Sequence, residues 1–249
     1  MSFLIVMLSL FSFNSFSNFC EQRMDHKKLR SLFEKKENLF DFDNDAGLFN
    51  QGTCWWHSRL QRKSIYLAKF NPDKKKGDVN KIKKIIRALI KGRKVIDIDG
   101  IRDFKQLTKE NRDYILNRLT LWQLKDGIIK FSWITGLRGR TKVKSEKLHR
   151  RIEELYYYVK KGNIAYTKLQ LPGIPSHAWL VTDVIKTDSG YALKFLDSNY
   201  QSSLRTYHYK NGDSTFRFRS YGNFTPYLEQ KNENKKLKKK LKKYCQRRK

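Results

Sequence analysis

The sequence predicts an α+β fold, with helices first and an antiparallel sheet second. Three observations carry this. Up to about residue 161 the apolar residues recur at helical spacing. After Asn163 they fall in short runs of strand character. Those runs are separated by turn signals rich in Gly, Asn and Asp. At 249 residues the chain can hold one good-sized domain, or at most two small ones.

Taken in order, the apolar run Phe3–Phe13 precedes small residues at Ser15 and Ser17. It reads as a secretory signal, residues 1–17, although no Lys or Arg stands before it; a retained N-terminal membrane anchor is the alternative. A helix that crosses a bilayer needs about 20 apolar residues, more than this run offers. Residues 18–45 form a polar segment. Its Asp/Asn cluster, Asp41 to Asp45, lacks the ligand spacing of a calcium loop and is expected to be a connector. Gln51-Gly52-Thr53-Cys54 then opens a helix, with Trp56, Leu60, Ser64 and Leu67 at helical spacing and Asn71-Pro72 as its stop.

A second helix follows Gly77-Asp78, with Ile82, Ile85, Ile86 and Leu89 on one face and Gly92 at its end. A third is expected over about Ile101–Leu124, and a fourth over about Ser145–Lys161. This long helical insert is a candidate for shaping or covering a cleft. Strands are expected over Ile164–Leu171, Ala178–Ile185 and Tyr191–Asn199, the last two joined by the turn Thr187-Asp188-Ser189-Gly190. A further hairpin signal is Asn211-Gly212-Asp213, between Leu204–Tyr209 and Thr215–Phe218. Residues 46–230 make the expected functional domain. Residues 231–249 read as a Lys/Arg-rich tail, a solvated and frayed helix.

Basic residues outnumber acidic ones 54 to 24, a formal charge of +30. Such a charge favours polyanions, so an anionic surface or a nucleic acid is an expected partner of the basic C-terminal tail. Cys20, Cys54 and Cys245 are too few for a disulfide scaffold and form no Cys-x-x-Cys pair, so neither a zinc site nor a cofactor is expected. Cys20 and Cys245 can pair with each other, which leaves Cys54 as the free thiol.

A thiol is a good nucleophile only as thiolate, a form favoured by a helix N-terminus or a neighbouring imidazolium. Cys54 begins a predicted helix, where the first amides and the dipole favour an anion and can bind the oxyanion of a tetrahedral intermediate. Gln51 is a candidate side-chain donor to that oxyanion. His177 starts the strongest strand. The turn at Asp188-Ser189 sets positions 197 to 199 across from it, so Asp197 or Asn199 shares its sheet face. A nucleophile, a base and a group that orients the base make up the triad arrangement. His57 lies one helical turn from Cys54 but points along the helix; His149 and His208 sit among charges and read as surface residues.

Asn50-Gln51-Gly52-Thr53-Cys54-Trp55 resembles the nucleophile motif of papain-like cysteine peptidases, and Ser176-His177-Ala178 their histidine strand. Leu196-Asp197-Ser198-Asn199-Tyr200 is similar to the third-residue region of bacterial effector-type members. The resemblance spans roughly residues 50–200. It implies a helical half carrying the nucleophile, packed on a sheet, and hydrolysis of a peptide or amide bond through a thioester on Cys54. His177 would be the base, and Asp197 its orienting residue, with Asn199 as substitute. The implied substrate is a protein or peptide outside the cytoplasm. Gln51 stands nearer the cysteine than the family's oxyanion glutamine. Two other readings stay open: transglutaminase-like acyl transfer with the same triad, and a cationic polyanion-binding protein whose papain-like site is vestigial.

Overall fold

A computed structural model describes residues 18–44, 53–130, 140–171, 176–218 and 221–247; the apolar N-terminal run and Gln51 lie outside them. The fold is α+β. Its first half holds helices α1 (His26–Ser31), α2 (Cys54–Leu67), α3 (Val79–Lys91), α4 (Phe104–Glu110), α5 (Arg112–Lys130) and α6 (Ser145–Lys160), with short strands β1 (Ala68–Asn71) and β2 (Ile96–Asp99) among them. The second half holds β3 (Ala165–Gln170), β4 (Ser176–Thr187), β5 (Gly190–Asp197), β6 (Tyr200–Lys210), β7 (Phe216–Arg217) and β8 (Asn223–Glu229), followed by α7 (Lys231–Gln246).

Local signals account for most helix ends. Asp78 caps α3 by accepting from the Lys81 amide, and Gly92 closes it at φ +59°, a left-handed position that favours glycine. The expected third helix is two. At Asn111 the backbone leaves helical geometry, and the Asn111 side chain donates to the Leu107 carbonyl, ending α4. Helix α2 stops at Leu67, earlier than Asn71, because residues 68–71 become β1 and pair in parallel with β2. Ile96 and Ile98 of β2 are buried while Asp97 and Asp99 are not, a period of two too brief to stand out in the sequence.

The main sheet runs β6-β5-β4-β3-β8-β7 and is antiparallel throughout its described pairings. The segments flanking Asn211-Gly212-Asp213 do not pair as the expected hairpin; β7 pairs with β8, at the opposite edge of the sheet from β6. The two edges nevertheless meet through side chains. The Tyr207 and Phe216 rings stack at 4.1 Å, and the Arg217 amide donates to the Tyr207 hydroxyl at 3.1 Å. The sheet thus curls around an aromatic core that includes Trp179, Phe195, Phe216 and Phe224.

Successive β4 residues serve opposite faces. Trp179 and Val181 enter that aromatic core, while Ala178 and Leu180 join the core of the helical half. A bulge between Val181 and Asp183 breaks the expected alternation, so that Val184 follows Val181 into the aromatic core. Asp183 instead pairs with Arg30 of α1 at 3.0 Å. Helix α6 lays Leu148, Ile152, Leu155 and Val159 on the same core, so this part of the insert is a structural layer.

Both termini of the described chain are built in. The segment read as polar buries Phe19, Leu29, Phe33, Phe40 and Phe42. The segment read as a frayed tail is α7, which buries Asn234, Leu237, Leu241 and Cys245 along one face. Leu237, Leu241 and Cys245 are four residues apart, a spacing that aligns side chains on a helix even when every other position is charged. Cys245 is disulfide-bonded to Cys20, with Cα atoms 5.8 Å apart. From the start of α7, Glu233 reaches three cations of α2: Arg59 and Arg62 at 2.8 Å each, and Lys63 at 3.3 Å.

Candidate active site

Cys54 is the first residue of α2 and is 5% exposed, with no second free cysteine among the described residues. The turn before it is held from outside the helix: Asn44 Oδ1 accepts from the Thr53 amide and, at 3.1 Å, from the Thr53 hydroxyl. The Thr53 carbonyl takes the amides of Trp56 and His57, each at 2.9 Å, which starts the helical ladder. The amides of residues 54 and 55 therefore open the helix, at the positive end of its dipole. Tyr166, from the sheet beneath, donates its hydroxyl to the Trp55 carbonyl at 3.2 Å and its ring meets Trp55 edge-on, fixing α2 against β3.

His177 enters from the first residues of β4. Its Nε2 lies 2.7 Å from Asp197 Oδ1, and its side chain is hydrogen-bonded to that of Cys54. With Nε2 taken by Asp197 and Tyr221, Nδ1 is the ring nitrogen left for other partners. The strand register explains the first contact. Trp179 stands opposite Asp197, which places His177 diagonally across the same face of the β4–β5 pair. Burial disfavours a charged imidazole, but the Cys54 sulfur and the Asp197 carboxylate outweigh it and raise the His177 pKa to about 10. Burial likewise works against the Asp197 charge. Hydrogen bonds from His177, the Asn199 amide and Trp179 prevail and hold this carboxyl below its ordinary range.

Asp197 is fully buried, and four groups hold it. Besides His177, Trp179 Nε1 donates to Oδ2 at 3.0 Å and the Asn199 amide to Oδ1 at 2.9 Å. The fourth is Tyr221, whose hydroxyl lies 3.1 and 3.0 Å from the two carboxylate oxygens and 3.2 Å from His177 Nε2. Nothing in the sequence marked Tyr221. It comes from the connection before β8, with no period or turn rule linking it to β4. Trp179 packs in the aromatic core and also serves here through its indole N–H.

Of the two candidate third residues, Asp197 touches the imidazole. The Asn199 side chain turns the other way, donating to the Tyr221 hydroxyl at 3.0 Å and accepting from Asn44 Nδ2 at 3.1 Å. Asn44 and Asn199 thus join the turn before Cys54 to the group around Asp197, so the two halves of the site share one hydrogen-bonded seam. Gln51 lies outside the described residues. His57 is fully buried, stacked at 3.7 Å on Phe40, and burial pushes its pKa down to about 3. It packs as a core ring against Phe40 and Phe42. His208 is exposed and His149 half-exposed, the latter 3.8 Å from Glu153. Among the described residues no group of three His, Cys, Asp or Glu side chains gathers as a metal site.

No family model, curated protein or solved structure matches this chain. A thiol at a helix start touches an imidazole whose Nε2 is fixed by a buried carboxylate, the geometry of an activated nucleophile with an oriented base.

Proposed function

We propose that this protein is a papain-like thiol hydrolase that cleaves a peptide or amide bond. The observation that carries the reading is His177 standing between Cys54 and Asp197, with its proton affinity raised by both. Such a ring is an imidazolium at neutral pH and stabilises a thiolate beside it. Cys54 Sγ attacks the acyl carbonyl, and the negative oxygen of the tetrahedral intermediate forms at the open end of α2, where amide N–H groups and the helix dipole oppose its charge. His177 gives its proton to the leaving amine. The neutral ring then accepts a proton from water as water attacks the thioester, which frees the acid and returns Cys54 to its starting state. Asp197 keeps Nε2 occupied, so that Nδ1 is the nitrogen left for the sulfur.

The proposed substrate is a protein or peptide met outside the cytoplasm, in keeping with the N-terminal apolar run and with the disulfide, a bond that persists in oxidising compartments. No helix among the described residues is long and apolar enough to cross a membrane. The test is hydrolysis of an unfolded protein such as casein. Wild-type protein releases new α-amino groups, whereas Cys54→Ala and His177→Ala variants of unchanged fold release none. Equal release by the Cys54→Ala variant would overturn the proposal.

A further inference from the structure

Docking of α7 turns its lysines into a fixed surface. The buried face leaves Lys235, Lys239 and Lys242 exposed along one side, with Lys236 and Lys243 beside them. The sequence holds no acidic residue from 234 to its end. Lys240 Nζ donates to the Gly92 carbonyl at 2.5 Å, which brings the Lys-Gly-Arg-Lys turn after α3 against the same helix. Lys91, Arg93 and Lys94 of that turn are exposed. Among the described residues none of these exposed cations has a carboxylate within ion-pair distance. By contrast, the buried side of the same helix presents Glu233 to Arg59, Arg62 and Lys63. Acidic partners are spent on the inner face and on Lys231, which pairs with Glu154, and the exposed lysines from 235 to 243, about 12 Å of helix at ~1.5 Å per residue, face no acid among the described residues.

We infer that this face docks on an anionic lipid surface. A row of cations would suit any polyanion, but in the form that keeps the N-terminal run as an anchor, the alternative to a cleaved signal, the covalent path of the N-terminus favours a bilayer. Cys20 is bonded to Cys245 in the last turns of α7. The apolar run Phe3–Phe13 ends five residues before Asn18. At no more than ~3.5 Å per residue, five residues reach about 17 Å. The most apolar stretch of the chain is therefore tethered to the end of its most basic helix. A nucleic acid would gain nothing from that neighbour, whereas a bilayer takes lysines at its headgroups and an apolar segment just below them. The lysine face supplies the electrostatic part whether or not the run is retained. This inference does not depend on the hydrolase reading.

The experiment is co-sedimentation of the full chain with vesicles of phosphatidylcholine containing about one-third phosphatidylserine, against phosphatidylcholine alone and with duplex DNA as a separate ligand. The expected result is binding to the anionic vesicles only, falling steeply with salt. Lys235→Gln/Lys239→Gln/Lys242→Gln should weaken it at least about tenfold, the combined loss of three charges near the surface. Lys186→Gln/Lys210→Gln, at exposed sheet positions, should change it less than about twofold. If the helix variant loses its fold by circular dichroism, Lys91→Gln/Arg93→Gln/Lys94→Gln on the neighbouring turn decides the question. Equal binding to uncharged vesicles, no loss in a folded variant, or tighter binding to DNA than to anionic vesicles would each overturn the inference.

Discussion

Four donors converge on Asp197, and each removes a way for the carboxylate to move away from His177. Trp179 fixes one oxygen, the Asn199 amide fixes the other, and Tyr221 bridges both while reaching the imidazole. A hydrogen bond to a charged group contributes about 1.5–3 kcal/mol, which as a barrier is roughly 10–100-fold in rate. Tyr221→Phe should therefore lower kcat/KM by about that factor, while far-ultraviolet circular dichroism stays unchanged. An unchanged kcat/KM would mean that Trp179 and the Asn199 amide hold Asp197 without help. Asp197 was legible in the sequence because a tight turn fixes the register of β4 against β5, and register names the neighbours. Tyr221 was not, because its contact depends on how a connection far along the chain folds back.

At the scale of elements, the joint between α2 and α7 decides how firmly α2, which carries Cys54, is seated. Burial alone would raise the Glu233 pKa, but Lys63, Arg59 and Arg62 together hold it well below the ordinary carboxylate range. Burial in turn lowers the Lys63 pKa to about 8, with Glu233 offsetting part of the shift. Removing Glu233 leaves Arg62 and Lys63, both buried, with no carboxylate in ion-pair distance among the described residues, and leaves Arg59 with Asp126 alone. Glu233→Gln should cost about 3–5 kcal/mol, as for one partner removed from a buried ionic group, read as a fall in the denaturant midpoint. A loss below about 1 kcal/mol would show that water reaches this joint freely. The docking of α7 was hidden by composition: three apolar residues four apart are a genuine helix face, but among so many lysines their sum reads as solvated. The bulge at Thr182 was hidden for a different reason, since no glycine marks it and the strand pattern on either side looks unbroken.

For the molecule as a whole, the order of helices and sheet followed from periodicity, while the curling of the sheet did not. Turn residues specify which strands are joined, but aromatic packing between Tyr207 and Phe216 brings the edges together, and packing of that range leaves no local trace. The site binds the two halves, so stability should follow its titration. His177 is raised from 6.5 to about 10, so its contribution is full below about pH 6.5 and is lost as pH rises through about 10. Asp197 is lowered from 3.8, so its contribution is present above that value and lost as pH falls through the folded-state pKa. Denaturant midpoints should thus fall as pH rises toward about 10, and that alkaline decline should flatten in His177→Ala.

Alkylation reports directly whether His177 and the start of α2 activate Cys54. Intact folded protein treated with iodoacetamide at pH 6 is digested and the Cys54 adduct followed by mass spectrometry. Cys54 should be modified fast, at least about tenfold faster than a free thiol whose pKa is about 8.5, and folded His177→Ala should lose that advantage. Labelling of Cys54 no faster than a free thiol, or equally fast without His177, would contradict that activation.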